Sequence, residues 1–401
     1  MGLPAEILEK IIHLFYLSGN RTPPSLNSVA LCSHTFNSIA RKFQFQTVSV
    51  CTYHDLSVCQ EIVNKADHLL LYTKTLRVIR PMSNDKTCAD LLFINNIGVI
   101  LPQFTGVTSL VVGGFPIDLS AFDRCKRIRF AGFVQMDLNH HPTKLSIAKF
   151  LVKHKPRATH FEGCKGPHSF DEHPGIELHQ GGLCPQVATL SIVTDDQAWI
   201  KEVSQTFPNI TSLCVNPLVM RAVQQYPSLQ SLTITGPAKF FNYTALTTCT
   251  GLRTVRIVFP EETQYDILSP HLTFPKIHGC LPPSVTSVIT VASTSPSIFS
   301  LLKDLVTMPL MQPDRQYTFV LSPCGYHDHL SIPHVSLLQF ERNPPQLKEG
   351  PRIKYPGFGS LEPSDLEILD SMQGMGNVLM KFIPTPYHEY REDLWLEGSL
   401  E

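Results

Sequence analysis

The chain lacks any strong imbalance of charge. Its 33 lysines and arginines meet 34 aspartates and glutamates, a formal net charge of -1, so a surface built as a whole for polyanions is not expected. It lacks an apolar run of about 18 residues, so no membrane-spanning helix is expected. Its start lacks the basic stretch and hydrophobic core of a secretory leader. Met1-Gly2 opens like a myristoylation signal, but position 6 is Glu rather than Ser or Thr. A cytoplasmic or nuclear protein is the expectation. None of the 11 cysteines forms a CxxC pair. Cys125, Cys184, Cys214 and Cys249 fall at or beside apolar positions and read as small buried hydrophobes in a reducing compartment.

Motifs for bond chemistry are also missing. No GxxxxGK[ST] or GxGxxG follows a strand, so nucleotide binding has no support; Gly113-Gly114 after an apolar stretch fits a turn equally well. The 17 histidines cluster at His140, His141, His154, His160, His168, His173 and His179, with Cys164 and Cys184 nearby. Zinc wants two close-spaced ligand pairs, and these steps are irregular. His327-Asp328-His329 offers two imidazoles with no second pair. A Cys–His hydrolase needs a nucleophile, a base and an oxyanion hole placed together, and no motif here places them. The expectation is no metal, no cofactor and no catalytic residue, with a metal-dependent or Cys/His hydrolase on the His/Cys-rich segment as an alternative. Lys144, Lys149, Lys153, Lys155 and Arg157 form a local basic stripe that an exposed helix face explains as readily as nucleic acid does.

What is present is globular composition, with 43% apolar and 17% charged residues and 32 prolines punctuating many short elements. One spacing recurs: apolar, two spacers, apolar, one spacer, apolar. The copies are Val107-x-x-Leu110-x-Val112, Val187-x-x-Leu190-x-Ile192, Ile210-x-x-Leu213-x-Val215, Leu229-x-x-Leu232-x-Ile234, Leu252-x-x-Val255-x-Ile257 and Val335-x-x-Leu338-x-Phe340. Weaker ones are Cys125-x-x-Ile128-x-Phe130 and Val285-x-x-Val288-x-Thr290. Pro185, Pro208, Pro227 and Pro333 stand just before four of them. The closing alternation has the period of a strand; earlier strands are expected at 47–50 and 75–79.

Helix signals lie between the copies. Asn216-Pro217 pairs an N-cap with proline at the first helical position, leading into Leu218–Gln225. Thr194-x-x-Gln197 is a capping box. Ser295-Pro296 opens Ile298, Leu301, Leu302 and Leu305, and Thr143 opens Leu145, Ala148, Leu151 and Val152. Such alternation at intervals of roughly 20–35 residues signals a solenoid, with an ordinary parallel α/β domain as the alternative. After residue 342 the chain changes. Asn343-Pro344-Pro345 and Gly350-Pro351 are linker-like, and Ser364-x-x-Glu367 caps a helix through Leu366, Leu369 and Met372. A cap over the last repeat, or a partner-binding tail around Trp395, fits that segment.

The first 45 residues carry the most specific pattern. Leu3-Pro4-Ala5-Glu6-Ile7-Leu8 leads to Ile11-Ile12, Leu14 and Phe15, an amphipathic helix started by proline. Asn20-Arg21-Thr22-Pro23-Pro24 breaks it. Leu26, Val29, Leu31-Cys32, Phe36, Ile39-Ala40, Phe43 and Phe45 then carry two more helices. Three helices in about 45 residues sit near the lower limit for independent folding, so these apolar faces serve a partner or cap a larger domain. The order of residue types resembles the F-box family, with two departures: Phe36 at a tryptophan-like position and a longer, proline-rich loop before Leu26. The resemblance implies docking onto a Skp1-type protein, and through it a cullin ubiquitin ligase. The matching positions are Leu3, Pro4, Ile7, Leu8, Ile11, Leu31, Cys32 and Phe36, and the sequence does not sort partner contacts from internal packing.

With the F-box, the repeats look like the leucine-rich-repeat type common among fungal F-box proteins. The family's Asn or Cys three residues past each copy is absent; Phe115, Asp195, Leu218, Pro237 and Pro260 stand there. The expected fold is α/β: a three-helix F-box (1–46), an irregular leucine-rich-repeat-like solenoid (47–342), and a linker with a C-terminal cap (343–401). The implied role is a non-enzymatic substrate adaptor that holds a client protein, with no nucleic acid or membrane partner. Thr211, Ser212, Cys214, Gln230, Ser231, Thr233, Arg253, Thr254 and Arg256, the spacers that should project from the strand face, are its expected client contacts.

Overall fold

The computed structural model describes residues 7–8, 31, 33–79, 96–115, 118–125, 127–136, 141–164, 184–193, 205–236, 242–259, 270–293, 296–307, 312, 314–322, 367–368, 371–372 and 375–382. The chain is α/β and divides into two compact units, Met1–Asn209 and Ile210–Glu401.

In the first unit, six strands pair in chain order, each parallel to the next. They are β1 (Thr47–Ser49), β2 (Thr75–Ile79), β3 (Ser109–Gly113), β4 (Phe130–Val134), β5 (Ala158–Glu162) and β6 (Thr189–Val193). Parallel neighbours need a long crossover, and helices supply several of these. Helix α1 (His34–Gln44) precedes β1. Helix α2 (Tyr53–Ala66) follows it, started by a full capping box between Thr52 and Asp55. Short 3-10 segments at Asp67–Tyr72, Leu101–Gln103 and Leu119–Phe122 and helix α3 (His141–His154) lie in the other crossovers described.

The second unit repeats the plan. Its strands are β7 (Ser212–Val215), β8 (Ser231–Thr235), β9 (Thr254–Val258), β10 (Ser287–Ser293), β11 (Gln316–Ser322) and β12 (Val378–Phe382), again parallel and in order. Helices α4 (Pro270–Gly279) and α5 (Pro296–Thr307) lie between its later strands. Pro217 opens a helical segment, but the Asn216 side chain makes no capping bond, and Pro217–Gln225 is a 3-10 segment rather than an α-helix, kinked at Val219 (φ -102°, ψ 16°).

The recurring triplet places its last two apolar residues inward on a strand and its first in the turn below. Val107, Leu110 and Val112 are buried, as are Val187, Leu190 and Ile192, and Leu252, Val255 and Ile257. The copy at Cys125-x-x-Ile128-x-Phe130 is corrected by three residues. Leu110 pairs with Ala131 and Val112 with Phe133, so the triplet in register is Ile128-x-x-Ala131-x-Phe133. Cys125 imitated a strand residue because it too is buried, its thiol donating to the Phe104 carbonyl at 3.1 Å. Strands β5 and β11 escape the pattern: Thr159 fills an apolar place in β5, and Asp314 stands where the β11 triplet would begin; β12 carries a copy that the sequence reading missed, Met375-x-x-Val378-x-Met380. The copy at Val335, the capping boxes at Thr194 and Ser364, and Trp395 lie outside the described residues.

An aromatic spine fills the first unit. Phe133 stacks on Phe161 at 5.3 Å and meets Phe150 edge-on at 6.3 Å; Phe122 and Phe207 extend the row on either side. Gly113 ends β3 where a Cβ would run into the Val134 carbonyl, and Gly114 follows with φ 79°. The pair makes a turn, and glycine is required there for space and for a positive φ.

Candidate functional site

Helix α1 begins because Ser33, in extended backbone, accepts a hydrogen bond from the Phe36 N–H at 3.2 Å. Its inner face buries Ile39, Ala40 and Phe43, and Leu8 and Phe36 pack against Ile39 and Phe43. The F-box-like positions therefore separate. Leu8 and Phe36 face inward, whereas Ile7 is 42% exposed and Leu31 is 88% exposed. Both are apolar side chains open to solvent. Leu3, Pro4, Ile11 and Cys32 lie outside the described residues.

The spacer residues of the second unit form ladders across its sheet. Thr211, Gln230 and Arg253 follow one another just below the strands, joined by N–H to carbonyl bonds of 2.8 Å from Gln230 to Thr211 and from Arg253 to Gln230. Ser212, Ser231 and Thr254 make the next row, and Cys214, Thr233 and Arg256 the third. Gln230 and Arg253 are exposed; Thr211, Ser212, Ser231, Thr233, Thr254 and Arg256 are half-buried. Cys214 is the correction. It is buried, as are Leu213 and Val215 beside it, so both faces of β7 are covered there and no client contact is available.

A second departure lies further along the strands. Val258, Val291 and Val320 are in register on that outward face and form a buried apolar cluster, with Ile289 packed on it. The face is polar and accessible where the strands start and apolar and covered where they end. The signal was legible: Ile257-Val258-Phe259 abandons the two-residue alternation, as strands buried on both faces do.

In the first unit, Arg77, Val111, Gly132, His160 and Ser191 form the corresponding row. The His160 imidazole bridges Ser191 and Glu162, with Nδ1 2.7 Å from Ser191 Oγ and Nε2 3.1 Å from Glu162 Oε2. A hydroxyl, an imidazole and a carboxylate in line have the order of an acyl-transfer site. Ser191, however, is 2% exposed, in mid-strand, and the nearby Gly163 N–H already donates to Val193. The row satisfies buried polar groups on a sheet face.

The cysteines of this segment are not activated. Burial pushes the Cys164 thiol up to about 12, and it donates to the Phe133 carbonyl at 3.3 Å; burial raises Cys184 as well. A reactive cysteine needs the opposite shift. His154 lies against Phe150, ring centres 4.5 Å apart, and burial lowers its pKa against the pull of Asp123. No group of three or more His, Cys, Asp or Glu among the described residues could hold a metal ion. His140, His168, His173, His179 and His327-Asp328-His329 lie outside the described residues.

The basic stripe splits in two. Lys149 and Lys153 on α3 line a cleft of about 650 Å³ against Asp118, Ser120 and Asp123, and Lys153 pairs with Asp123 at 2.6 Å. Lys155 and Arg157 sit past the helix end and are exposed. No helix among the described residues is long and apolar enough to cross a membrane. No family model matches the chain, and no curated protein matches it.

Proposed function

We propose that this chain is a substrate-recognition adaptor of a Skp1–cullin–F-box ubiquitin ligase, working in the cytoplasm or nucleus. The N-terminal helices dock a Skp1-type protein, and the strand-start surfaces of the repeats hold a client. The adaptor catalyses nothing itself; it raises the effective concentration of the client near a ubiquitin-charged enzyme. The observation that carries the reading is the division of F-box-like positions into an internal pair, Leu8 and Phe36, and an exposed pair, Ile7 and Leu31. Consecutive parallel strands support the second half of the reading, since they stack spacer side chains into a continuous surface without loops interrupting it.

The test is co-expression with a Skp1-type protein, beside an Ile7→Asp, Leu31→Asp double mutant. A stoichiometric complex with the wild type, lost in a folded mutant, is expected, because two charges would be buried unpaired at the interface. No complex with the wild type would reduce the N-terminus to a helical cap. A Skp1 complex that recruits no cullin would make the chain a scaffold outside a ligase.

A further inference from the structure

The N-terminal rim of the first sheet concentrates positive charge. The residues just below β2, β3, β4 and β5 are Lys74, Thr108, Arg129 and Arg157, and the backbone holds them in one row. The Thr108 N–H donates to Lys74, the Arg129 N–H to Thr108 and the Arg157 N–H to Arg129, at 2.7–2.8 Å. Arg127 and Lys155 stand two residues upstream on neighbouring connections, Lys155 in the left-handed conformation (φ 51°) that ends α3. All five cations are exposed. Among the described residues, none of the five side chains has a carboxylate partner; the ion pairs there are made by other residues. In a chain of net charge -1, five unpaired cations on one edge are a segregation of charge that repels itself until an anion joins it.

We propose that this rim docks a short acidic peptide segment of the client, carrying carboxylate or phosphorylated side chains. The inference rests on the adaptor reading and names its client chemistry. Lys74 to Arg157 spans three strand spacings, about 14 Å, which an extended peptide covers in about four residues. Thr75, Thr108 and Thr189 place hydroxyls on or beside the row. Single-stranded nucleic acid would need aromatic faces for stacking. The exposed large aromatic among the described residues is Tyr53, which lies on α2 rather than on the rim.

The experiment is fluorescence anisotropy on the full chain. The probes are labelled pentaglutamate, pentaglutamine, a phosphoserine-containing pentapeptide and pentauridylate. The two acidic peptides should bind, weakening as salt rises past about 0.1 M, and pentaglutamine should not. Arg129→Glu with Arg157→Glu should cost at least about tenfold in affinity, by like-charge repulsion. The milder Arg129→Gln, Arg157→Gln pair should lie between. Arg221→Glu, the same charge change at an exposed site in the second unit, should cost little. Absent binding of both acidic peptides, equal loss in Arg221→Glu, or tighter binding of pentauridylate would each overturn the proposal. Acidic-peptide binding without a Skp1 complex would sink the adaptor reading alone; the reverse result would sink the rim alone.

Discussion

Truncating Ile7 and Leu31 to alanine should weaken the proposed Skp1 docking by more than it lowers the free chain's stability. The magnitude follows from exposure. Burying a whole leucine or isoleucine side chain is worth about 1.5–3 kcal/mol. Leu31 is 88% exposed and Ile7 42% exposed in the free chain. If both become buried in the complex, they contribute roughly 1.3–2.6 and 0.6–1.3 kcal/mol, since burial energy scales with the area removed from water. Together that is roughly 2–4 kcal/mol, or about a 20- to 600-fold rise in Kd, taking 1.4 kcal/mol per tenfold. By the same scaling, the unfolding free energy of the free chain should fall by only about 1–2 kcal/mol, mostly from the part of Ile7 already buried. Leu8→Ala and Phe36→Ala are the mirror controls. Both side chains pack on Ile39 and Phe43, so each should cost about 1–3 kcal/mol of stability, the lower part of the core-truncation range because both are only half-buried. Calorimetric titration with a Skp1-type protein, beside urea denaturation of each variant, measures both quantities. Unchanged affinity in the Ile7, Leu31 variant would refute the division into inner and outer positions. So would a loss of affinity that tracks a loss of stability.

Three further outcomes follow from the packing. Burial, and then Arg315, lower the pKa of His278; burial lowers that of His154. Their unfolded forms therefore take up protons first, and stability should be fully present above pH 6.5 and fall as pH drops below it toward the folded pKa values. His278→Gln removes the titrating imidazole, whose Nε2 lies 2.8 Å from the Tyr317 hydroxyl, and should flatten that slope in urea melts between pH 7.5 and 5.5; an unchanged slope would contradict the assignment. Gly113→Ala should cost about 1–3 kcal/mol as overpacking against the Val134 carbonyl, visible as a lowered Tm; an unaltered Tm would mean β4 yields freely. Tyr226→Phe should leave stability equal or raise it by up to about 1 kcal/mol, because the Tyr226 hydroxyl is buried without a protein partner. A clear loss in denaturant titration would show that this hydroxyl is satisfied.

Several features of this protein were decided by local pattern and are legible in one dimension. The apolar triplet marks strands because a side chain in a parallel strand faces inward at every second position, and neighbouring copies must stack to bury that row. Hence β3, β6, β7, β8, β9 and β10 lie where the spacing puts them. Proline at 217 and 296 opens helical segments because its missing N–H would have no partner there anyway. The three-residue slip at Cys125 shows the limit of that code: a buried turn residue and a buried strand residue look alike until the register is known.

What only the tertiary structure decided is which side chains remain available to a partner. Leu8 and Leu31 are the same residue type in the same motif, and one packs inward while the other meets solvent, because Ile39 and Phe43 occupy only one side of α1. Cys214 and Thr233 are register neighbours on one face, yet the first is buried and the second only half-buried. Arg129 and Arg157 are 28 positions apart in the chain and adjacent on the rim. Sequence spacing sets the direction of a side chain relative to its own strand or helix; what lies opposite it is set by segments distant in the chain, and contact, burial and charge density depend on that alone.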